Sequence, residues 1–157
     1  MSPRQLMHDG DGVVRRTISV LLADQDELAR RDLRWDLERA GFQVVAEAAT
    51  GDEAVDLALE TRPELCLLAS ELPRQSGIAA AAIIARVLEG TSIVLMSADL
   101  TVGDVLDAVR AGAAGCVAKD VDPSQLPLIL NAVASGESAF PRRELRQALD
   151  FLVPQVA

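Results

Sequence analysis

The chain has 157 residues, 50% of them hydrophobic but only 3% aromatic, and a net charge of -9 at neutral pH. That length suits a single domain, which buries roughly 70% of the surface its unfolded chain would expose and needs neither metal nor disulfide to fold. The acidic balance excludes nucleic acid as a partner of this chain alone, since such binding rests on clustered Lys and Arg.

Residues 1–16 are polar and glycine-containing and read as a flexible tail. The segment has no apolar core followed by a cleavage site, and no apolar run in the chain is long enough for a bilayer, so a cytoplasmic protein without a membrane partner is expected. The lone His8 falls in this tail, and D-G-D-G at Asp9 to Gly12 lacks the later glutamate of a calcium loop. Ile18 to Ala23 is the first apolar run, and it ends in Asp24, Gln25 and Asp26. Glu27 to Ala40 follows with a helical pattern that puts Leu28, Leu33, Leu37 and Ala40 on one side, with Trp35 about 130° away from that stripe. A second unit pairs Val44 to Ala48 with a helix over Asp52 to Thr61, and a third pairs Leu65 to Ala69 with Ile78 to Leu88. The helix of the third unit, I-A-A-A-A-I-I-A, is apolar nearly all round. Ile93 to Ser97 with Val102 to Ala111, then Cys116 to Ala118 with Pro123 to Ser135, make the fourth and fifth units. The last of these helices has a core stripe at Leu126, Ile129, Leu130 and Val133, leaving Leu128 and Ala132 for solvent or a partner. Gly41, Gly90, Gly112 and Gly136 fall just past four of the helices, where a left-handed cap is expected. Residues 17–138 then form the domain, and 139–157 an extra helix, from about Arg142 to Leu152, or a linker.

Five strand-helix units joined by right-handed crossovers imply (βα)5, a parallel sheet covered on both faces, and a core of Val, Leu, Ile and Ala fits strands buried in that way. Function in such a sheet gathers outside the carboxyl ends of the strands. Those ends supply Asp24 to Asp26, Ala69 to Glu71, Ser97 to Asp99, and Lys119 with Asp120. The turn A-D-Q-D-E after the first strand has no glycines and no G-x-x-x-x-G-K-[ST] loop occurs, so nucleotide-binding enzyme chemistry lacks its signatures. Cys66 and Cys116 lie in separate apolar runs without C-x-x-C spacing and read as small core hydrophobes, with no metal site and no cofactor implied. A carboxylate, a hydroxyl and an amine at three strand tips make a pocket suited to a divalent cation and a phosphoryl group. Each also has a plainer reading: Asp24 as a helix cap, Ser97 as a turn hydroxyl, Lys119 as a solvated loop lysine.

In sequence order the chain carries L-L-A-D-Q-D-E-L-A-R-R-D-L-R, V-V-A-E-A-A-T-G-D-E-A-V-D-L-A, R-P-E-L-C-L-L-A-S-E-L-P-R-Q-S-G-I, V-L-M-S-A and A-V-R-A-G-A-A-G-C-V-A-K-D. On these anchors, residues 18–141 resemble the response-regulator receiver domain of two-component signalling, especially receivers of the nitrate-regulator type. The resemblance implies a flavodoxin-like doubly wound sheet of five parallel strands in the order 2-1-3-4-5. The third and fifth strands would then flank the fourth, about 9 to 10 Å apart, too far for Cys66 and Cys116 to form a disulfide. It also implies roles, position by position. Asp24 fills the first of two acidic places after the first strand, but Gln25 fills the second, where a carboxylate binds magnesium. Ala69 occupies the place of the phosphoacceptor aspartate, after Pro63 and before Pro73. Ser97 keeps the hydroxyl that senses the phosphoryl group, and Lys119 keeps the lysine. Cys116 stands where receivers often carry a rotating aromatic switch, and Glu71 where the family uses a backbone carbonyl.

With the anchors in place, Asp24 reads as a pocket acid and Lys119 as its partner across the pocket. A methyl group has no lone pair to attack phosphorus, and one carboxylate with a neutral amide is a poor magnesium site. The expectation is a degenerate receiver, a pseudo-receiver and not an enzyme, that signals without phosphorylation and regulates transcription through protein contacts. Homodimerisation through Trp35, Leu128 and Ala132 is expected, with an output domain or partner regulator as a further contact. The alternative is a small-ligand sensor that uses the pocket vacated above Ala69.

Overall fold

The computed structural model describes residues 6–8 and 14–153. Two short strands open it: β1 (Leu6–His8) and β2 (Val14–Arg16) pair antiparallel, with Leu6 opposite Arg16 and His8 opposite Val14. The segment expected to be a flexible tail is therefore a ribbon where it is described, because each strand satisfies the other's backbone polar groups. Asp9 to Gly12 lies outside the described residues.

Five strand-helix units follow. They are β3 (Ser19–Ala23) with α1 (Glu27–Arg39), β4 (Gln43–Ala48) with α2 (Gly51–Thr61), and β5 (Leu65–Ala69) with α3 (Gly77–Val87). β6 (Ser92–Ser97) with α4 (Val102–Ala111) and β7 (Gly115–Ala118) with α5 (Leu126–Ala134) complete them. The strands form one parallel sheet in the order β4-β3-β5-β6-β7, the flavodoxin-like arrangement that the resemblance implies. Residue alternation along the strands divides the core. Leu21, Cys66, Leu68, Ile93, Leu95 and Cys116 join Ala54, Ala58, Ala80, Ile84 and Ala108 of α2, α3 and α4. Val20, Leu22, Leu65, Leu67, Val94 and Met96 join Leu37 of α1 and Leu126, Leu130 and Val133 of α5. Every residue of β5 is buried, as befits the middle strand of a sheet covered on both faces.

The helix ends depart from expectation in two places. Gly41, Gly112 and Gly136 take left-handed φ of 94°, 83° and 97°, but Gly90 does not. α3 stops instead at Leu88, whose N–H bonds the Ile84 carbonyl, and Thr91 pins the turn by donating its hydroxyl to the Pro63 carbonyl. α5 begins at Leu126 and not at Pro123, because Asp122 accepts from the backbone and hydroxyl of Ser124 and holds 122–125 as a turn. After α5 the backbone returns to the sheet edge. Cys116 N–H bonds the Ala139 carbonyl, Ala139 N–H bonds the Ala114 carbonyl, and α6 (Arg142–Leu152) then packs against α4. None of the described helices is long and apolar enough to cross a membrane.

Candidate functional site

The carboxyl ends of β3, β5, β6 and β7 converge as their order requires. Asp24 follows β3 and is only 2% exposed. Its Oδ2 pairs with Lys119 Nζ at 3.2 Å, and its Oδ1 accepts from the Asp26 N–H at 3.0 Å. The backbone around it is equally engaged: Asp24 N–H bonds the Ala48 carbonyl, and the Arg30 guanidinium donates to the Asp24 carbonyl at 2.7 Å. Arg30 is held in turn by Glu47 of β4. Asp26 has a separate task, accepting from Leu28 and Ala29 N–H groups as the N-cap of α1. Gln25, between the two, is exposed.

Ser97 ends β6 and is buried, and its Oγ lies 2.8 Å from Ser70 Oγ. The parallel register sets this pair, since Ala69 sits opposite Met96 and the next residue on each strand is a serine. Lys119 is placed beside them by its own N–H, which bonds the Ser97 carbonyl. Cys116 Sγ approaches Ser97 Oγ only to 4.0 Å, a weak contact, and burial pushes its thiol up to about 11. Burial alone pushes Cys66 up to about 12, and both thiols are free.

Ala69 stands at the tip of β5, wholly buried. α3 starts hard against it: the Gly77 N–H bonds the Ser70 carbonyl, and a Cβ on Gly77 would lie 1.8 Å from the Ala69 carbonyl oxygen. Glu71, one residue past Ser70, is exposed and outside this cluster of bonds. The structure thus joins Asp24 with Lys119 and sets Ser97 beside Cys116, while Gln25 and Glu71 stay at the surface. Ser70 was not singled out from sequence, and two serines one step past two strand tips become a signal only once the register is known.

The helical residues proposed as contacts divide. Trp35 is 64% exposed and Leu128 63% exposed, as a partner surface needs, but Ala132 is half-buried. Leu28, assigned to the buried stripe of α1, is 69% exposed, and Ala40 is exposed as well. The cause is helical phase: at about 100° per residue Leu28 points about 140° away from Leu33 and about 180° from Leu37, the residues through which α1 meets the sheet. Leu28 and Trp35 are seven residues apart and so share one exposed face of the helix.

A cavity of about 230 Å³ lies between α1 and α5, touching Asp24 and Lys119 but not Ala69. Among the described residues no group of three or more His, Cys, Asp or Glu side chains is arranged to hold a metal ion.

A family model described as response regulator receiver domain matches residues 20–131. The transcriptional regulatory protein YxjL of Bacillus subtilis, described as uncharacterized, is 36% identical over 124 residues, 78% of this chain and 57% of that protein. The nitrate/nitrite response regulator NarP of Escherichia coli is 33% identical over 125 residues, 79% of this chain and 58% of that protein. The chain therefore spans a little over half the length of these curated relatives. A crystal structure of a two-component response regulator of the LuxR family from Aurantimonas sp. matches with a TM-score of 0.78 at 30% identity, covering 88% of this chain and 99% of that one.

Proposed function

Because this chain belongs to the response regulator receiver domain family, we propose that it acts as an atypical receiver, passing its signal by surface contact and not by accepting a phosphoryl group. The observation that carries the reading is Ala69: a methyl group, wholly buried, at the tip of the central strand. Receiver phosphorylation is attack by a carboxylate oxygen on phosphorus, and alanine offers no such oxygen. The surroundings agree. Both carboxylate oxygens of Asp24 already have partners, Lys119 and the Asp26 N–H, and Gln25 is at the surface, so a magnesium ion would find one engaged carboxylate. In this reading Lys119 answers the Asp24 charge permanently, and the domain is a binding module without enzymatic activity.

Its partners are then found on the helices. Leu28 and Trp35 on α1 and Leu128 on α5 support a homodimer face, while Ile83 and Val87 of α3 form a smaller rival. The name of YxjL is that of a transcriptional regulatory protein, which supports a role in transcription through an output domain or partner regulator. The test is incubation with acetyl phosphate and magnesium followed by intact mass measurement. No phosphoryl adduct is expected; a stoichiometric base-labile adduct would overturn the reading.

A further inference from the structure

We propose that the cavity between α1 and α5 is a binding site for a small organic amine with a compact apolar body. The walls are apolar: Leu33 and Leu37 from α1, Met96 from β6, Leu126 and Pro127 from α5. At about 230 Å³ it has room for a single ring or a branched aliphatic group.

Four charged side chains line it, and their pairing decides what kind of occupant it takes. Asp24 and Lys119 answer each other at 3.2 Å. Asp32 and Asp36 do not: they stand one turn apart on α1, both line the cavity, and neither has a hydrogen-bonding or ionic side-chain partner among the described residues. Asp36 is half-buried and Asp32 is exposed, and both line the cavity. An ammonium group placed there is attracted by two unanswered negative charges while the apolar body displaces water from the leucine, methionine and proline surface. An anion of the same size meets the same two charges as repulsion, because Lys119 is already matched to Asp24. The site is also placed to matter. It lies between the two helices that expose Trp35 and Leu128, so an occupant would brace them against each other. The proposal does not depend on whether the domain accepts a phosphoryl group.

The experiment is a titration of the ¹⁵N-labelled full chain with phenethylamine, followed by amide correlation spectra, with phenylacetate as the anion carrying the same ring. Saturable shifts confined to amides around Leu33, Lys119 and Leu126 are expected in the millimolar range, at least tenfold tighter for the amine and weakened by salt. Leu33→Trp, which fills the cavity, should abolish them. Asp36→Asn, a near-isosteric change that keeps the fold if the tryptophan variant does not, should weaken amine binding several-fold and leave phenylacetate no worse. No saturable shift, equal response to the anion, or amine binding that survives both substitutions overturns the proposal. Shifts of these amides that follow protein concentration alone would make the cavity a contact between copies, which overturns it equally.

Discussion

Asp24 holds a charge almost out of water, and its neighbours show how: one carboxylate oxygen on an ammonium, the other on a backbone N–H. Removing the ammonium leaves the carboxylate with a single donor in a dry place. Lys119→Met should lower stability by about 2 kcal/mol, less than for a fully buried pair because the Lys119 side chain is 37% exposed. Adding Asp24→Asn should recover most of that loss, since the amide oxygen still accepts from Asp26 without a charge to bury. Denaturant titration of the single and double variants checks this, and equal losses in both would remove the coupling. The two thiols make a second prediction at this scale. Burial raises the folded-state thiols to about 12 for Cys66 and about 11 for Cys116, while an unfolded thiol ionises near about 8.5. Their contribution is therefore fully present below the unfolded range and is lost as pH rises toward the folded values. The native protein should react with a thiol reagent at pH 8 only at the rate of unfolding, and Cys66→Ala with Cys116→Ala should flatten the fall in stability between about pH 9 and 11. Rapid labelling of the native state would refute the burial of both.

At the scale of elements, the approach of α3 to the tip of β5 rests on a missing side chain. A Cβ on Gly77 would stand 1.8 Å from the Ala69 carbonyl oxygen, against backbone that cannot swing aside. Gly77→Ala is expected to destabilise by about 2 kcal/mol or more, through forced displacement of the helix start. Gly90 is the control: nothing lies within 4 Å of its built Cβ and its φ is outside the left-handed region. Gly90→Ala should be neutral or stabilise by up to about 1 kcal/mol through the unfolded chain. Thermal melts of the two variants separate the roles. The sequence pattern marked Gly90 as a helix cap and passed over Gly77, yet Gly90 does not take the left-handed conformation and Gly77 makes room for a neighbouring strand. Spacing along the chain reports where a helix ends; it does not report which backbone comes within van der Waals distance of it.

For the whole molecule, the question is which surface carries the signal. α6 already covers α4, and α2, α3 and α4 share one side of the sheet, which leaves α1 and α5 together on the other. Leu28, Trp35 and Leu128 are the large apolar residues exposed there. Dimerisation independent of phosphodonor is expected, weakened at least tenfold by Trp35→Glu or Leu128→Glu with unchanged circular dichroism, as sedimentation velocity over a concentration series would show. A monomer at high concentration, or a dimer indifferent to both substitutions, would remove this face.

Five apolar runs alternating with helical periods determined the parallel sheet, and the residues after each run determined which side chains reach its carboxyl edge. Those features are local, since side-chain period and chain order are properties of the sequence itself. The Asp24–Lys119 pair was legible through the resemblance, which supplied the strand order that brings these two tips together on paper. The rest needed register and packing. Ser70 meets Ser97 because two parallel strands align at Ala69 and Met96. The cavity beside Asp24 exists because α1 and α5 stand apart there. Distances between helices depend on the summed volumes of side chains from separate segments, and no single stretch of sequence contains that sum.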